Sequence, residues 1–170
     1  MAVVMVGFSN ATNLTDGLDG LLTSVSIIIF GTLFIVSIYN NEPIELSIFI
    51  LMFTGLLIGF LINNKFPAKM FMGDTGSLVI GAVFTLLIIA MKIEVLGVFL
   101  GLIYIVEMLS VMFQVGYFKY TRKRFGEGRR ILKMAPLHHH FEQGGTKEKV
   151  ITIYFVIAHL IISTIILSFM

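Results

Sequence analysis

The sequence predicts an all-α fold, a polytopic transmembrane helical protein that forms one membrane-embedded domain over residues 1–170. Hydrophobic residues make up 57% of the chain and charged residues only 13%, and the mean hydropathy is +0.97, which excludes an ordinary soluble domain. The apolar residues are also gathered in long runs, and a helix needs roughly 20 such residues to cross about 30 Å of hydrocarbon. Cysteine is absent, so neither a disulfide framework nor a thiolate metal site is expected.

The apolar runs place the helices in order along the chain. Residues 1–9 are too few for a full span, and we expect the chain to begin inside a helix, of which they are the remaining part. Five full spans are then predicted, over residues 21–39, 46–62, 77–91, 95–118 and 150–170. The fourth of these is long enough to tilt or bend in the membrane.

Three polar segments interrupt the apolar runs, at residues 10–20, 63–76 and 119–149. Because the spans cross the membrane one after another, their connections alternate between its two sides. All lysines and arginines except Lys92 fall in the second and third of these segments, and cytoplasmic loops carry an excess of such residues. The pattern therefore predicts that all three polar segments lie together at the cytoplasmic face.

The first polar segment carries amide and carboxylate groups that are suited to ligand binding. Asn13 offers donors and acceptors, and Asp16 and Asp19 are acceptors about one helical turn apart. Gly17 and Gly20 follow the two aspartates, and a glycine lets a ligand or another backbone approach closely. This arrangement suits a nucleobase, a ribose or a metal-bound phosphate. The alternative is that these polar residues only cap the helix that follows.

Asp74 is a lone carboxylate in a glycine-flanked turn between two long apolar runs. Burying an unpaired charge is costly, so this residue requires a cation partner. Mg²⁺ prefers carboxylate oxygen and keeps part of its coordination for substrate phosphates, so Asp74 is a candidate magnesium ligand. The alternative is a cap for the helix that we expect to start near Ser77.

His138, His139 and His140 form the least generic feature of the chain. Three successive imidazoles cannot share one helical face, so we expect an extended or loop segment after Pro136. Zinc sites usually add thiolates or well-spaced His and Glu, so the pattern favours phosphate contact or proton chemistry over a structural metal. The basic residues that precede the histidines would attract a dianionic substrate, or only the anionic membrane surface.

Two polar residues, Glu107 and Gln114, lie inside the fourth predicted span, two turns apart on roughly the same face. A charge near the hydrocarbon centre costs about 2.5 to 3.5 kcal/mol on insertion scales, so both should face a protein interior. We expect Gln114 to line a ligand cavity. We expect Glu107 to face a protein interior as well. The alternative is that it pairs with helices outside this chain.

Three motifs together resemble those of the phospho-N-acetylmuramoyl-pentapeptide transferases. This family is a branch of the polyprenyl-phosphate N-acetylhexosamine-1-phosphate transferases, and the resemblance covers essentially the whole chain. The first two motifs are shared by the wider superfamily, and the third is typical of the muramoyl branch. The motifs are Asn13-Leu-Thr-Asp-Gly-Leu-Asp-Gly20, Phe71-Met-Gly-Asp-Thr-Gly-Ser-Leu78 and Ala135-Pro-Leu-His-His-His-Phe-Glu142.

The resemblance implies transfer of phospho-MurNAc-pentapeptide from UDP-MurNAc-pentapeptide to undecaprenyl phosphate, which gives lipid I and UMP in peptidoglycan synthesis. It implies Mg²⁺ as cofactor, the bilayer of a bacterial inner membrane as location, a cytoplasmic site, and no nucleic-acid partner. Asp74 would be the metal ligand, and the three histidines would belong to the family's essential cytoplasmic loop. The residues implied to line the nucleotide or uridine region are Asn13, Asp16, Asp19, Asn64, Phe71, which would stack, and Gln114.

The chain departs from the family in one respect that bears on activity. Family members are longer and carry a paired-aspartate motif in their earlier half, whereas no two aspartates are adjacent here. We therefore expect the chain to correspond to the C-terminal portion of such an enzyme. The alternatives are a fragment that is inactive or depends on an N-terminal half or a homodimer partner, and a related HexNAc-1-phosphate transferase. A channel or transporter is disfavoured, because its polar groups should run through the spans.

Overall fold

A computed structural model describes residues 2–170, and this part of the chain contains helices and no strand, which confirms the all-α prediction. The helices are α1 (Ala2–Thr15), α2 (Leu21–Tyr39), α3 (Ile44–Asn64), α4 (Gly73–Ala90), α5 (Glu94–Leu100), α6 (Leu102–Phe125), α7 (Leu137–Glu142) and α8 (Glu148–Ser168). Five of these are long and apolar enough to cross a membrane, as judged by length and composition: α2, α3, α4, α6 and α8.

Helix α2 is the centre of the bundle and coincides with the first predicted span. It packs against α3 on one side and α8 on another, and large apolar side chains such as Ile29, Phe30 and Leu33 are fully buried along it. Its neighbours α3 and α8 leave many apolar side chains exposed, as expected of helices that face lipid. The core of the protein therefore lies around α2.

Helix α1 packs against α4 and α6, and its close approach to α4 depends on Gly81. A Cβ at Gly81 would lie 2.5 Å from the carbonyl oxygen of Phe8, so only a residue without a side chain fits between the two backbones. Small residues at helix crossings are typical of membrane bundles. This crossing brings the C-terminal end of α1 beside the N-terminal end of α4.

The first helix is longer than the sequence indicated. It continues through Thr15, which narrows the loop predicted over residues 10–20 to residues 16–20. The hydroxyl groups of Thr12 and Thr15 donate to the carbonyl oxygens of Phe8 and Ala11, and both threonines are buried. A polar residue whose hydroxyl group donates to a backbone carbonyl of the same helix does not end that helix.

The fourth predicted span, 95–118, is divided into α5 and α6 at Gly101. A Cβ at Gly101 would overlap the ring of Phe8, so the interruption lies where α1 is packed against this part of the chain. Helix α6 then continues beyond the predicted end, through the basic residues Arg122, Lys123 and Arg124, to Gly126 in the left-handed conformation. Cations in the last turn and a glycine at the terminus both favour this extension.

Two shorter segments also differ from the prediction. Helix α4 begins at Gly73 and not near Ser77, so Asp74 lies in its first turn. The expectation of an extended or loop segment at the histidines is wrong, because residues 137–142 form the short helix α7. Successive residues of a helix point about 100° apart, so three adjacent imidazoles reach three different surroundings without sharing a face.

Candidate functional site

The three polar segments meet at one end of the helical bundle, as the sequence predicted. Asn13, near the end of α1, donates to Asp74 in the first turn of α4. Asp19 accepts a hydrogen bond from the backbone of Ala68, and its own N–H donates to Glu148 at the start of α8. Segments that are far apart in the sequence are thus joined by side-chain hydrogen bonds into one polar surface.

Asp74 is held by an amide from another helix and is exposed. Asn13 Nδ2 lies 3.1 Å from Asp74 Oδ1 and 3.0 Å from Ser77 Oγ, so one side chain spans the first turn of α4. The N-cap residue of α4 is Met72, and no side chain caps the helix. Asp74 therefore does not serve as the cap that the sequence left open, although its charge is favourable near a helix N-terminus.

Asp16 is the second carboxylate of this surface. Burial, and next the negative charge of Asp74, raise the pKa of Asp16 from 3.8 to about 6. A half-buried carboxyl group with a second carboxylate close by is expected to show a shift in this direction. Asp16 and Asp74 are far apart in the sequence, but they are close enough in the structure to interact electrostatically, and we call them the acidic pair.

This acidic pair fits a magnesium ion better than it fits zinc. The described residues, 2–170, contain no group of three or more His, Cys, Asp or Glu side chains placed to hold a metal. Mg²⁺ is commonly bound by one or two carboxylates, with waters and substrate phosphates as its other ligands. Asp74 and Asp16 could supply that carboxylate share, and bound cation would offset their repulsion.

Asp19 and Asn64 lie beneath the exposed loop 65–72 and hold it in place. The Asp19 carboxylate accepts from Ala68 N at 2.8 Å. Asn64 is buried, accepts from the Thr23 hydroxyl at 2.6 Å and donates to the Met70 carbonyl at 3.0 Å. The side chains of both residues are therefore engaged within the protein, and their implied contact with a nucleotide stays a prediction.

Phe71 presents the opposite situation, because its side chain is 75% exposed just before α4 begins. An exposed ring next to Asp74 is available to stack on a planar ligand, since aromatic faces bind bases with little sequence or shape restriction. The implied stacking role of Phe71 is compatible with this position.

Gln114 fixes the loop that follows α6. Its Oε1 accepts from the backbone N–H groups of Ile131 and Leu132, both at 3.0 Å, and its Nε2 donates to the Leu132 carbonyl at 2.9 Å. Gln114 is buried and lines a groove of about 490 Å³ at the basic end of α6. The groove is lined by Val111, Gln114, Val115, Phe118, Lys119, Arg122, Arg130, Met134 and Ala135.

The three histidines of α7 have three different environments. His138 is fully buried, and its Nδ1 lies 3.1 Å from Glu107 Oε2. His139 Nδ1 lies 2.8 Å from Glu142 Oε2 at the surface. His140 Nδ1 accepts from the backbone N–H of Lys133 at 3.1 Å. The three residues cannot share one role, because only His139 and His140 reach solvent.

The partner of Glu107 is therefore found inside the chain, and no outside helix is needed to account for its burial. Glu148 is a further residue of the polar surface that the sequence did not single out. Its carboxylate accepts from the Asp19 N–H at 2.5 Å and so ties α8 to the first polar segment. No local sequence signal marks Glu148, because its partner lies 129 positions away.

A bundle of membrane-length helices with carboxylate, amide, imidazole and cationic groups gathered at one end defines a multi-pass membrane protein with a polar site at that end. The chain belongs to glycosyl transferase family 4, whose family model matches residues 1–92. The matched region contains Asn13, Asp16, Asp19 and Asp74.

The chain is also similar to curated proteins named phospho-N-acetylmuramoyl-pentapeptide-transferase. It is 44% identical over 169 residues to that of Wolbachia sp. subsp. Drosophila simulans (strain wRi), covering 99% of this chain and 52% of the relative. It is 48% identical over 145 residues to that of Streptococcus suis (strain 05ZYH33), covering 85% and 43%. The Streptococcus thermophilus (strain CNRZ 1066) protein is 49% identical over 146 residues, covering 85% and 42%. The chain spans about half the length of these relatives.

Proposed function

We propose that this chain carries a large part of the active site of a phosphosugar transferase that converts UDP-MurNAc-pentapeptide and undecaprenyl phosphate to lipid I and UMP. The similarity to proteins of that name and the three motifs support the choice of substrates. The observation that carries the proposal is the Asn13–Asp74 hydrogen bond with Asp16 beside it, because it joins two of the motifs into one acidic site suited to a cation.

The reaction is a displacement at phosphorus. A phosphate oxygen of the lipid forms a bond to the phosphorus that carries the sugar, the bond from this phosphorus to the UMP oxygen breaks, and UMP leaves. Positioning and neutralisation of charge supply most of the rate enhancement in such transfers. The protein must therefore bind the diphosphate rigidly and hold its own charges in fixed places.

The polar surface provides groups for each of these tasks. Asp74, with Asp16 beside it, would hold Mg²⁺, which would offset the charge of the diphosphate. Asn13 fixes the orientation of the Asp74 carboxylate through a 3.1 Å hydrogen bond. Phe71 is exposed next to this pair and would stack on the uracil ring. His139 and His140, which reach solvent, would contact phosphate or move a proton.

The charge distribution supports a cytoplasmic location of the site. All lysines and arginines other than Lys92 belong to the end of the bundle that carries the polar surface, and cytoplasmic segments are enriched in such residues. We infer that the site faces the cytoplasm of a bacterial cell, where a soluble UDP-linked sugar would reach it. The lipid substrate would enter from the surrounding inner leaflet.

Turnover should require more protein than this chain supplies. The chain spans about half the length of its relatives, and no adjacent aspartates occur in it. We propose that the groups which bind the lipid phosphate come from an N-terminal half, with a second copy of the chain as the alternative source. The acidic pair described above would then be completed by acids from that half.

The test measures UMP release from UDP-MurNAc-pentapeptide in detergent, with undecaprenyl phosphate and Mg²⁺. The purified chain is compared with the chain co-expressed with the part of the Streptococcus suis relative that lies outside the match. We expect release only from the completed protein, and none from its Asp74→Asn variant. No release from the completed protein, beside an active full-length relative, would contradict the proposal. Release by the chain alone would overturn the requirement for a second half.

A further inference from the structure

A carboxylate and an imidazole are buried together between α6 and α7. Glu107 and His138 both have no exposed surface. Glu107 Oε1 accepts from the backbone N–H of His138 at 3.2 Å, and Glu107 Oε2 lies 3.1 Å from His138 Nδ1. Both oxygens of one carboxylate are thus directed at a single residue, so Glu107 fixes the main chain and the ring of His138 together.

This pairing determines which ring nitrogen of His138 faces the rest of the site. A carboxylate accepts hydrogen bonds, so the Nδ1 of His138 carries the proton that is donated to Glu107. The opposite nitrogen, Nε2, is buried and has no hydrogen-bond partner among residues 2–170. A carboxylate behind an imidazole is a common way to fix the orientation and tautomer of a functional histidine.

The unpaired edge of His138 lies against the turn that carries Asp16. A Cβ built on Gly17 would overlap His138 Nε2, which places the imidazole edge directly on the Gly17 backbone. Residues 16–20 form a turn without helix or strand of its own, between α1 and α2. Contacts from outside the turn add to its own backbone hydrogen bonds: Asp19 is joined to Ala68 and Glu148, and His138 supplies the contact at Gly17, next to Asp16.

We propose that Glu107 is a positioning residue, which acts through His138 to hold the Asp16–Gly17 turn in place beside Asp74. Glu107 lies in the second turn of α6, inside a membrane span, and the turn lies at the polar end of the bundle. The effect on the turn does not depend on the proposed function, whereas its consequence for turnover does. A purely structural ion pair would change stability alone and leave the order of the turn unaffected.

The absence of cysteine allows a direct measurement of the turn. Leu18, in the middle of the turn, is 8% exposed, so Leu18→Cys introduces a single protected thiol. We expect Glu107→Gln to raise the rate of maleimide labelling of this thiol by at least about fivefold, because local opening of the turn exposes it. Glu142→Gln is the matched control, since the Glu142 carboxylate pairs with the ring Nδ1 of His139 at the surface. That control should leave the rate within about twofold.

A second variant approaches the same contact from the turn. Gly17→Ala places a methyl group where the His138 ring lies, so it should raise the labelling rate without altering Glu107. Nitrogen-15 shifts of the His138 ring, recorded in detergent, should show Nδ1 protonated in the parent chain and a changed pattern in Glu107→Gln. If neither variant changes the labelling rate while both remain folded, the proposal is overturned, and an Nε2-protonated ring in the parent would overturn it equally.

The same variants separate this inference from the proposed function. Labelling and nitrogen shifts need no substrate, so they report on the turn even if no transferase activity is found. In the protein completed by an N-terminal half, Glu107→Gln should lower kcat at least about tenfold with a smaller change in the KM for UDP-MurNAc-pentapeptide. An ordered turn with full activity in Glu107→Gln would contradict the positioning role, whatever the effect on thermal stability.

Discussion

Asn13 and Asp74 are 61 residues apart in the sequence, and a 3.1 Å hydrogen bond joins the amide of one to the carboxylate of the other. The same amide donates to Ser77 at 3.0 Å. Because both donors of Asn13 are directed at the first turn of α4, the residue connects the packing of two helices to the orientation of a carboxylate. The packing of α1 against α4 therefore also determines the geometry of the site at Asp74.

Asn13→Ala should loosen Asp74 without unfolding the protein. The variant removes two hydrogen bonds at a partly exposed position, which costs on the order of 1 kcal/mol each in stability. Loss of a residue that orients a metal ligand typically costs about 10- to 100-fold in metal affinity or activity. The Mg²⁺ concentration needed for half-maximal turnover of the completed protein measures the effect.

Asn10→Ala is the matched control for Asn13→Ala. Asn10 lies one turn earlier on α1, and its amide donates to the carbonyl of Val6 within the same helix. Asn10→Ala should leave the Mg²⁺ dependence of turnover unchanged. An equal effect of both substitutions would mean that α1 acts through its helix stability and not through Asp74.

Asp16→Asn should make the folded protein more stable at neutral pH. The pKa of Asp16 is raised to about 6 by burial and by Asp74, so the folded state binds the proton more tightly than the unfolded state, whose pKa is near 3.8. Stability associated with this group is therefore present below pH 3.8 and is lost as the pH rises through about 6. Asparagine is neutral at every pH and avoids that loss.

Thermal unfolding without Mg²⁺ measures this prediction. The Tm of Asp16→Asn should exceed that of the parent near pH 7.5 and approach it near pH 4 (about two units below the raised pKa). Glu127→Gln, at an exposed position in the loop after α6, serves as a control. A Tm difference that does not depend on pH would show that the charge of Asp16 is not the cause.

Gly81→Ala should destabilise the protein by separating α1 from α4. The added methyl group would meet the backbone of Phe8 at 2.5 Å, and backbone cannot rotate away. Overpacking of this kind costs about 1 to 3 kcal/mol. Gly59→Ala, where the new methyl group meets open space on α3, should instead be neutral or stabilising by up to about 1 kcal/mol. Thermal denaturation of both variants in the same detergent compares them.

His159→Leu should raise the stability of the isolated chain. His159 is buried in the middle of α8, and neither ring nitrogen has a hydrogen-bond partner among residues 2–170. A buried polar group without a partner costs about 1 to 3 kcal/mol, and leucine avoids that cost at similar volume. A lower Tm for His159→Leu than for the parent would show that the imidazole is bonded, for example to buried water. Ser163→Ala, one turn away and also without a partner, should shift the Tm in the same direction.

The sequence was a good guide to the spans, because hydrophobic length is set by the membrane. The first span coincides with α2, and the predicted spans 46–62 and 150–170 fall within about two residues of α3 and α8. The extension of α1 to Thr15 was missed because Thr12 and Thr15 bond within the helix and do not end it. The division at Gly101 was not predictable, since it lies where the ring of Phe8 packs against the chain. The helix at the histidines was missed because it ends after only six residues.

The residue types of the site were also predictable, whereas their partners were not. Asn13, Asp16 and Asp74 meet as the polar segments indicated. The resemblance places Asn64 and Gln114 in a binding pocket. In the structure, their amide groups form hydrogen bonds to the backbones of nearby loops. A sequence pattern shows that an amide is needed, and only the folded chain shows whether it binds a ligand or holds the loop that does.

The Gln114 contacts have a mechanical consequence. Gln114 belongs to a helix of membrane-spanning length, and its amide forms hydrogen bonds to the main chain of Ile131 and Leu132, as the backbone of a neighbouring strand would. The position of the cationic loop is therefore fixed relative to α6. Tilting of α6 in a thicker or thinner membrane would carry that loop, and the histidines after it, toward or away from the aqueous phase.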